Sequence, residues 1–366
     1  MSAEEDRRYL ALAIALGARG LGRVWPNPAV GCVIVKEGRI VGRGWTQDGG
    51  RPHAETVALA QAGARARGAT AYVSLEPCAH HGRTPPCAAA LAGAGLARVV
   101  TAITDPDPRV AGGGHEILRQ AGIAVTTGVL ADAATAVQTG FLTRIRDGRP
   151  MLTLKLATSF DGRIATGSGE SRWITGAEAR RMVHAMRATH DAVMVGGGTA
   201  RADDPALTVR DIGVTRQPVR IVCARTLDLP RGGTLAASAA AAAPLWLVHG
   251  PSAPDQARDA WTGLGARLIE VPEQDGALSV GALMAALGAE GLTRVFCEGG
   301  GTFAAALLRA GLVDEIRHFA AGLALGADGR PAIGALTLPS LAAAPRFRLK
   351  DSRTVGPDVL SHWLRG

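Results

Sequence analysis

The sequence predicts an α/β protein of two domains, and three observations carry that prediction. The chain has 366 residues, long for one hydrophobic core and comfortable for two. Strand-like and helix-like patterns alternate along nearly all of it. A charged stretch bearing glycine and proline, "RIRDGRP" (144–150), separates two strongly patterned regions and reads as a hinge. The expected domains are 1–148 and 149–366, the first a three-layer α/β/α unit.

The first region opens "MSAEEDRRYLALAIALGARG". Leu10–Leu16 is apolar, but acidic residues precede it and arginine follows, which fits an amphipathic helix better than a signal peptide. "VGCVIV" (30–35) and "RIVGRGW" (39–45) read as strands joined by a turn at Glu37-Gly38. "HAETVALAQAGARARG" (53–68) has helical spacing through Val57, Leu59, Ala60 and Ala64, and Gly68 suits its end. A strand (69–75), a short helix (87–95), a strand (97–103), a helix (113–122) and a strand (123–128) follow. In the second region strands recur at 151–157, 192–196, 218–224, 244–250, 266–271, 294–300 and 315–321, with helices between some of them. The Ala-rich stretch 235–243 is a helix or loop without a functional signal.

Composition excludes several function classes. Hydrophobic residues are 47% and charged residues 20%, the profile of a globular chain. The cysteines, Cys32, Cys78, Cys87, Cys223 and Cys297, are odd in number and scattered, which argues against a secreted disulfide framework. No apolar run approaches the roughly 20 residues of a membrane span, so a cytoplasmic location is expected. The net charge of +8 invites a nucleic-acid reading. However, the only lysines are Lys36, Lys155 and Lys350, the arginines are dispersed, and no dense basic run is interleaved with aromatics. Compositional bias and an anionic small substrate account for the arginines, and no nucleic-acid partner is expected. The sequence is compatible with a homo-oligomer and does not specify one.

The densest chemistry lies in "LEPCAHHGRTPPC" (75–87). A disulfide, a metal site and a plain core turn are the alternatives. His53, Cys78 and Cys87 supply one nitrogen and two thiolates, and three such ligands with one open position are what a catalytic zinc needs. Glu55, two residues past His53, can face the open position without binding the metal, taking a proton from water and delivering it to a leaving amine. Cys87 opens a helix, whose positive end favours its thiolate. Cys78 and Cys87 as mere core residues would leave the joint presence of His53 and Glu55 unexplained. His80, His81, Arg83 and Thr84 are either substrate-reading groups or a solvated turn. Asn27, between two prolines, offers a rigidly held amide for a substrate edge. His115 reads as a surface residue.

The layout H-A-E, then P-C, then C resembles the zinc nucleobase deaminases. It departs from their usual P-C-x-x-C pair, because eight residues separate Cys78 from Cys87. "EPCAHHGRTPPC", with "PNPAVGCVIV" and "PHAE", resembles the bifunctional deaminase-reductase family of bacterial riboflavin biosynthesis. That resemblance implies a cytidine-deaminase-like first domain and zinc-dependent deamination of 2,5-diamino-6-(5-phosphoribosylamino)pyrimidin-4-one.

The second half carries two glycine turns after strands, Gly196-Gly197-Gly198 before Thr199 and Gly299-Gly300-Gly301 before a helix. Such turns allow close backbone approach, and a helix N-terminus binds phosphate. Neither is the dinucleotide fingerprint G-x-G-x-x-G. "LKLATSFDGRIATGSGESRWITG" and "ADDPALTVR" resemble the reductase half of the same family, similar in fold to dihydrofolate reductase, so the resemblance spans residues 10 to 360. It implies that Ala157, Trp173, Thr199, Asp203 and Gly299–Gly301 contact NADPH. It also implies that Ser171, Arg187, Leu207, Arg210 and Glu298 hold the phosphoribosyl substrate, whose side chain is reduced to ribityl. Arg187 and Arg210 suit bidentate phosphate binding. Lys155, on a strand heading into the pocket, and Asp203, in the loop "ADDP", are alternative proton donors; Lys155 could equally be an edge-strand charge. Trp173 is either a cofactor contact or core packing. Asp204, before Pro205, reads as a turn or cap residue, and Cys223 and Cys297 as core.

Two rival readings remain. A nucleic-acid-editing deaminase leaves the glycine turns unexplained. A zinc-stabilised scaffold demands a fourth protein ligand, and only three good candidates exist.

Overall fold

The structure, a computed structural model, describes residues 2–79, 85–107, 111–240 and 243–366. It forms two compact units, Met1–Gly148 and Arg149–Gly366.

Unit 1 runs α1 (Ala3–Ala18), β1 (Gly31–Lys36), β2 (Arg39–Trp45), α2 (Ala54–Ala62), β3 (Thr70–Val73), α3 (Cys87–Gly93), β4 (Arg98–Thr101), α4 (Gly113–Gln120), β5 (Ala124–Thr126) and α5 (Ala131–Asp147). Its sheet has the order β2-β1-β3-β4-β5. β1 pairs antiparallel with β2 and β3, while β3, β4 and β5 are parallel. Alternation along β1 makes three layers. Cys32 and Ile34 face a core with Ala54 and Ala58 of α2, Leu91 of α3 and Leu118 of α4. Val33 and Val35 face the opposite core with Leu10 and Ala13 of α1 and Ala134 of α5.

Several expectations change here. The helix expected over 53–68 is α only to Ala62 and continues as a 3₁₀ turn over Gly63–Ala66. The stretch 144–150 is less a hinge than the end of a helix that the sequence reading did not identify. Residues 144–147 form the last turn of α5, Arg144 and Arg146 sit at its negative end, and Gly148 closes it at φ 68°. His115 is not a surface residue. Its side chain is buried and its Nε2 lies 2.9 Å from Thr101 Oγ1.

Unit 2 runs β6 (Met151–Ser159), β7 (Arg163–Ala165), α6 (Ala177–Ala188), β8 (Ala192–Gly196), α7 (Gly197–Asp203), β9 (Val219–Cys223), α8 (Thr234–Ala237), β10 (Leu245–His249), α9 (Asp255–Gly263) and β11 (Arg267–Glu270). It continues with β12 (Glu273–Gln274), β13 (Ala277–Leu278), α10 (Val280–Ala289), β14 (Arg294–Cys297), α11 (Gly301–Arg309), β15 (Glu315–Ala321), β16 (Arg330–Pro331), β17 (Phe347–Val355) and β18 (Asp358–Arg365). The main sheet has the order β11-β10-β9-β8-β14-β6-β15-β18-β17. It is parallel from β11 to β15, and the last hairpin, β17–β18, adds antiparallel. The central parallel strands β8, β9, β10 and β14 are buried along their whole length, as strands covered on both faces are. The chain reverses its direction of growth around β8, β14 and β6, where open α/β sheets form their ligand crevice. Cys223 and Cys297 are buried.

Candidate active sites

In unit 1 the metal-ligand candidates converge. His53 is the N-cap residue of α2, and Cys87 is the first residue of α3. His53 Nδ1 lies 3.2 Å from Cys87 Sγ and 3.7 Å from Cys78 Sγ. The three ligand atoms lie within 4.8 Å of one another, and this is the one such His, Cys, Asp or Glu cluster among the described residues. One imidazole and two thiols suit zinc. The Cys87 thiol and backbone N–H both donate to Cys78 Sγ, holding the Cys78 thiol down at about 4. The shared proton pushes the Cys87 thiol up. The backbone N–H at the start of α3 points at the Cys78 sulfur, 3.3 Å away.

Glu55 stands in the first turn of α2 and is 3% exposed. Burial pushes its carboxyl up to about 7, with His53 opposing the rise. A cavity of about 250 Å³ lies against these groups, lined by Asn27, His53, Glu55, Cys78 and by residues the sequence reading passed over: Thr46, Arg51, Glu76, Asp105, Asp107, Phe141, Arg144 and Ile145. Asn27 donates from Nδ2 to the Gly50 carbonyl at 3.3 Å, which fixes its amide at the wall. Glu76 accepts the backbone N–H groups of Asp105, Gly112, Gly114 and His115 at 3.0–3.2 Å. It thereby ties the loop after β4 and the start of α4 to the site. "EPC" and "DPDP" held the only sequence signals for Glu76, Asp105 and Asp107, and both look like ordinary turns. His80, His81, Arg83 and Thr84 lie outside the described residues.

In unit 2 a second charged group forms at the C-terminal side of the sheet. Lys155 is on β6, between β14 and β15, so it is not an edge-strand charge. Its Nζ lies 3.8 Å from Glu298 Oε2, and Arg187 Nε donates to Glu298 Oε1 at 2.5 Å. Burial lowers the Lys155 ammonium, with Glu298 opposing. Against burial, Arg187 and Lys155 hold Glu298 below the usual carboxylate range. Arg187 also donates to the Thr208 carbonyl at 2.8 Å, so much of its fork is already engaged by protein.

The two glycine turns meet. Each leads straight into a helix, α7 and α11, and the Gly300 N–H donates to Thr199 Oγ1 at 3.0 Å. A Cβ at Gly198 would meet only open space, whereas one at Gly301 would lie 2.5 Å from the Pro331 carbonyl oxygen. Two helix N-termini at the ends of adjacent parallel strands suit the phosphates of a dinucleotide. Trp173 is 69% exposed, which removes the core alternative; Arg180 stacks on its ring at 4.7 Å. Asp203 is exposed and ends α7 rather than lying in a loop, and Asp204 caps that helix while accepting the Thr234 N–H. Ala157 and Ser171 are partly buried, Leu207 is buried at φ 55°, and Arg210 is exposed with its backbone N–H on His184 Nδ1.

Comparison with known proteins gives these sites a family. Residues 3–103 match the cytidine and deoxycytidylate deaminase zinc-binding region, and residues 150–361 match the RibD C-terminal domain. The riboflavin biosynthesis protein RibD of Escherichia coli is 45% identical over 98% of this chain and 99% of its own. The chain belongs to the RibD family. RibD of Acinetobacter baumannii superposes with a TM-score of 0.89 at 38% identity, covering 100% of both chains. A Thermotoga maritima structure, titled a diaminohydroxyphosphoribosylaminopyrimidine deaminase/5-amino-6-(5-phosphoribosylamino)uracil reductase, reaches 0.86 at 31% identity over 100% of this chain and 99% of that one. As in RibD structures, a deaminase-like α/β unit precedes a reductase unit, and the cofactors are zinc in the first and NADPH in the second. Among the described residues no helix is long and apolar enough to cross a membrane.

Proposed function

We propose that this RibD-family chain deaminates 2,5-diamino-6-(5-phosphoribosylamino)pyrimidin-4-one and then reduces the ribosyl side chain of the product to ribityl. The observation that carries the reading is the coincidence, in unit 1, of the His53–Cys78–Cys87 cluster with a buried Glu55 facing the same cavity. His53, Cys78 and Cys87 would hold zinc, which would supply Lewis-acid activation of water. Glu55 takes a proton from that water and hands it to the leaving amine, so that water and amine become carbonyl and ammonia. A carboxyl near neutrality suits both halves of this transfer. Asn27 orients the ring edge.

Deamination belongs to 1–148 and reduction to 149–366. Ala157, Trp173, Thr199, Asp203 and the Gly299–Gly301 turn would hold NADPH, which would supply the hydride for the second unit. Lys155, aligned by Glu298, delivers the proton, with Asp203 the alternative donor. Ser171, Leu207, Arg187 and Arg210 hold the phosphoribosyl end. Five free cysteines suit a reducing compartment, and we assign the chain to the cytoplasm, without a nucleic-acid partner.

The test is an assay of the purified chain on the diaminopyrimidine. Ammonia release without NADPH, followed by NADPH oxidation once it is added, is the expected result. NADPH oxidation without prior ammonia release would reverse the order of steps.

A further inference from the structure

Between α7 and β9 runs a segment without regular secondary structure, and it carries two residues assigned above to the substrate, Leu207 and Arg210. Burial alternates along it. Leu207 and Val209 are 2% and 3% exposed, whereas Thr208 is half-buried and Arg210 exposed. That period of two is the pattern of a strand. Yet among the described residues no backbone–backbone hydrogen bond reaches Thr208, Val209 or Arg210.

Side chains take the place of partner strands. On one edge Gln217 clamps Val209: its Oε1 accepts the Val209 N–H at 2.7 Å and its Nε2 donates to the Val209 carbonyl at 3.0 Å. On the other edge Arg187 Nη1 donates to the Thr208 carbonyl at 2.8 Å, and His184 Nδ1 accepts the Arg210 N–H at 3.2 Å. In an extended chain the N–H and C=O of one residue point to one side and the flanking groups to the other, so four consecutive backbone groups are satisfied on two edges. His184 and Arg187 stand three residues apart on α6 and share one face. Burial, with Arg187 and Arg210 nearby, lowers the His184 imidazolium, and a neutral ring can accept at Nδ1. Arg210 and Glu298 both act electrostatically on this ring, which brings the end of the segment to the Lys155–Glu298–Arg187 group.

An arginine on a loose loop must order that loop before it can hold a ligand, and the ordering weakens binding. A segment pinned at each backbone group from the Thr208 carbonyl to the Arg210 N–H presents its arginine already ordered. We propose that His184 and Gln217 are positioning residues of the reductase, holding Thr208–Arg210 as a preformed strand and aiming Arg210 at the anionic end of the phosphoribosyl substrate. The proposal rests on the reading of Arg210 as a substrate ligand.

The experiment follows NADPH oxidation by the full-length chain supplied with the deaminated intermediate. Arg210→Ala tests the underlying reading, and a rise in KM for the intermediate is expected. His184→Leu and Gln217→Leu each raise that KM by about tenfold and leave kcat and the dissociation constant of NADPH near wild-type values. Added to Arg210→Ala, the same substitutions raise KM no further, because they act through Arg210. His184→Asn, whose Oδ1 can accept the Arg210 N–H, recovers most of the loss. Gln217→Glu, which keeps the acceptor and loses the donor, falls between, and it replaces Gln217→Leu should that variant fail to fold. Losses that add in full to that of Arg210→Ala, or that fall equally on kcat and NADPH affinity, would make the two residues general supports of the fold and overturn the proposal. Wild-type KM in both variants would overturn it too. An Arg210→Ala chain with wild-type KM would instead remove Arg210 from the substrate site, and the proposal with it.

Discussion

Glu55 decides whether unit 1 is a catalyst or a metal-stabilised scaffold. Its carboxyl is buried, pushed up to about 7, and two residues from a metal ligand, yet it stands outside the three-atom cluster. Glu55→Gln preserves shape and removes the ability to carry a proton. Loss of deamination by at least about a hundredfold is expected, the scale of a general acid–base group, with one zinc per chain retained. Elemental analysis beside an ammonia assay checks this. Metal loss in step with activity would make Glu55 a ligand and favour the scaffold reading. Cys87→Ser carries the opposite expectation, loss of zinc together with deamination, because Cys87 is one of the three clustered donors among the described residues.

At the scale of elements, α2 carries both His53 and Glu55, and its position is set by β2. A Cβ at Gly42 would lie 2.2 Å from the Ala58 carbonyl oxygen, and one at Gly44 would lie 2.4 Å from that of Ala54 and 2.7 Å from Val57 Cβ. The helix backbone therefore rests directly on the strand, with no side chain between. Gly44→Ala drives α2 outward. Overpacking of this kind costs about 1–3 kcal/mol, and the displacement spreads to the metal ligand at the helix start. Deamination and zinc affinity fall together, while NADPH oxidation on the deaminated intermediate holds, since β2 belongs to unit 1 alone. Wild-type deamination in a folded Gly44→Ala chain would show that the site tolerates a shifted α2.

At the scale of the whole molecule, each unit contains every residue proposed for its own reaction. Gly148 closes α5 in unit 1, and the Arg149 guanidinium is anchored in unit 2 by both oxygens of Asp314 at 2.7 and 2.8 Å. A chain ended at Gly148 is expected to deaminate without NADPH, and one begun at Arg149 to reduce the deaminated intermediate without zinc. Removing Arg149 from the second fragment leaves Asp314 without its cation, so the cut belongs before that residue. Coexpression covers the case in which one fragment is insoluble alone. Deamination that requires NADPH in the coexpressed pair would show that the division of sequence at 148–149 is not a division of function.

The sequence by itself determined the alternation of strands and helices, the zinc donors and the glycine turns. These follow from local rules. Side-chain period selects strand or helix, and sulfur and imidazole near one another in an odd, scattered cysteine set have few uses other than metal binding. What tertiary structure alone decided is where distant segments meet. α5 escaped notice because its Ala-rich pattern carries little amphipathic signal and its charged end resembles a linker, so Arg144 had no visible connection to His53. His115 looked exposed in a polar stretch and is buried because Glu76 pulls the start of α4 inward. Lys155 took its meaning from β14 and β15 closing on either side of β6, which brought Glu298 within reach. Sequence spacing constrains neighbours along the chain; the field and the contacts at a site come from residues more than a hundred positions away, such as Arg187 and Glu298, and only the folded packing brings them together.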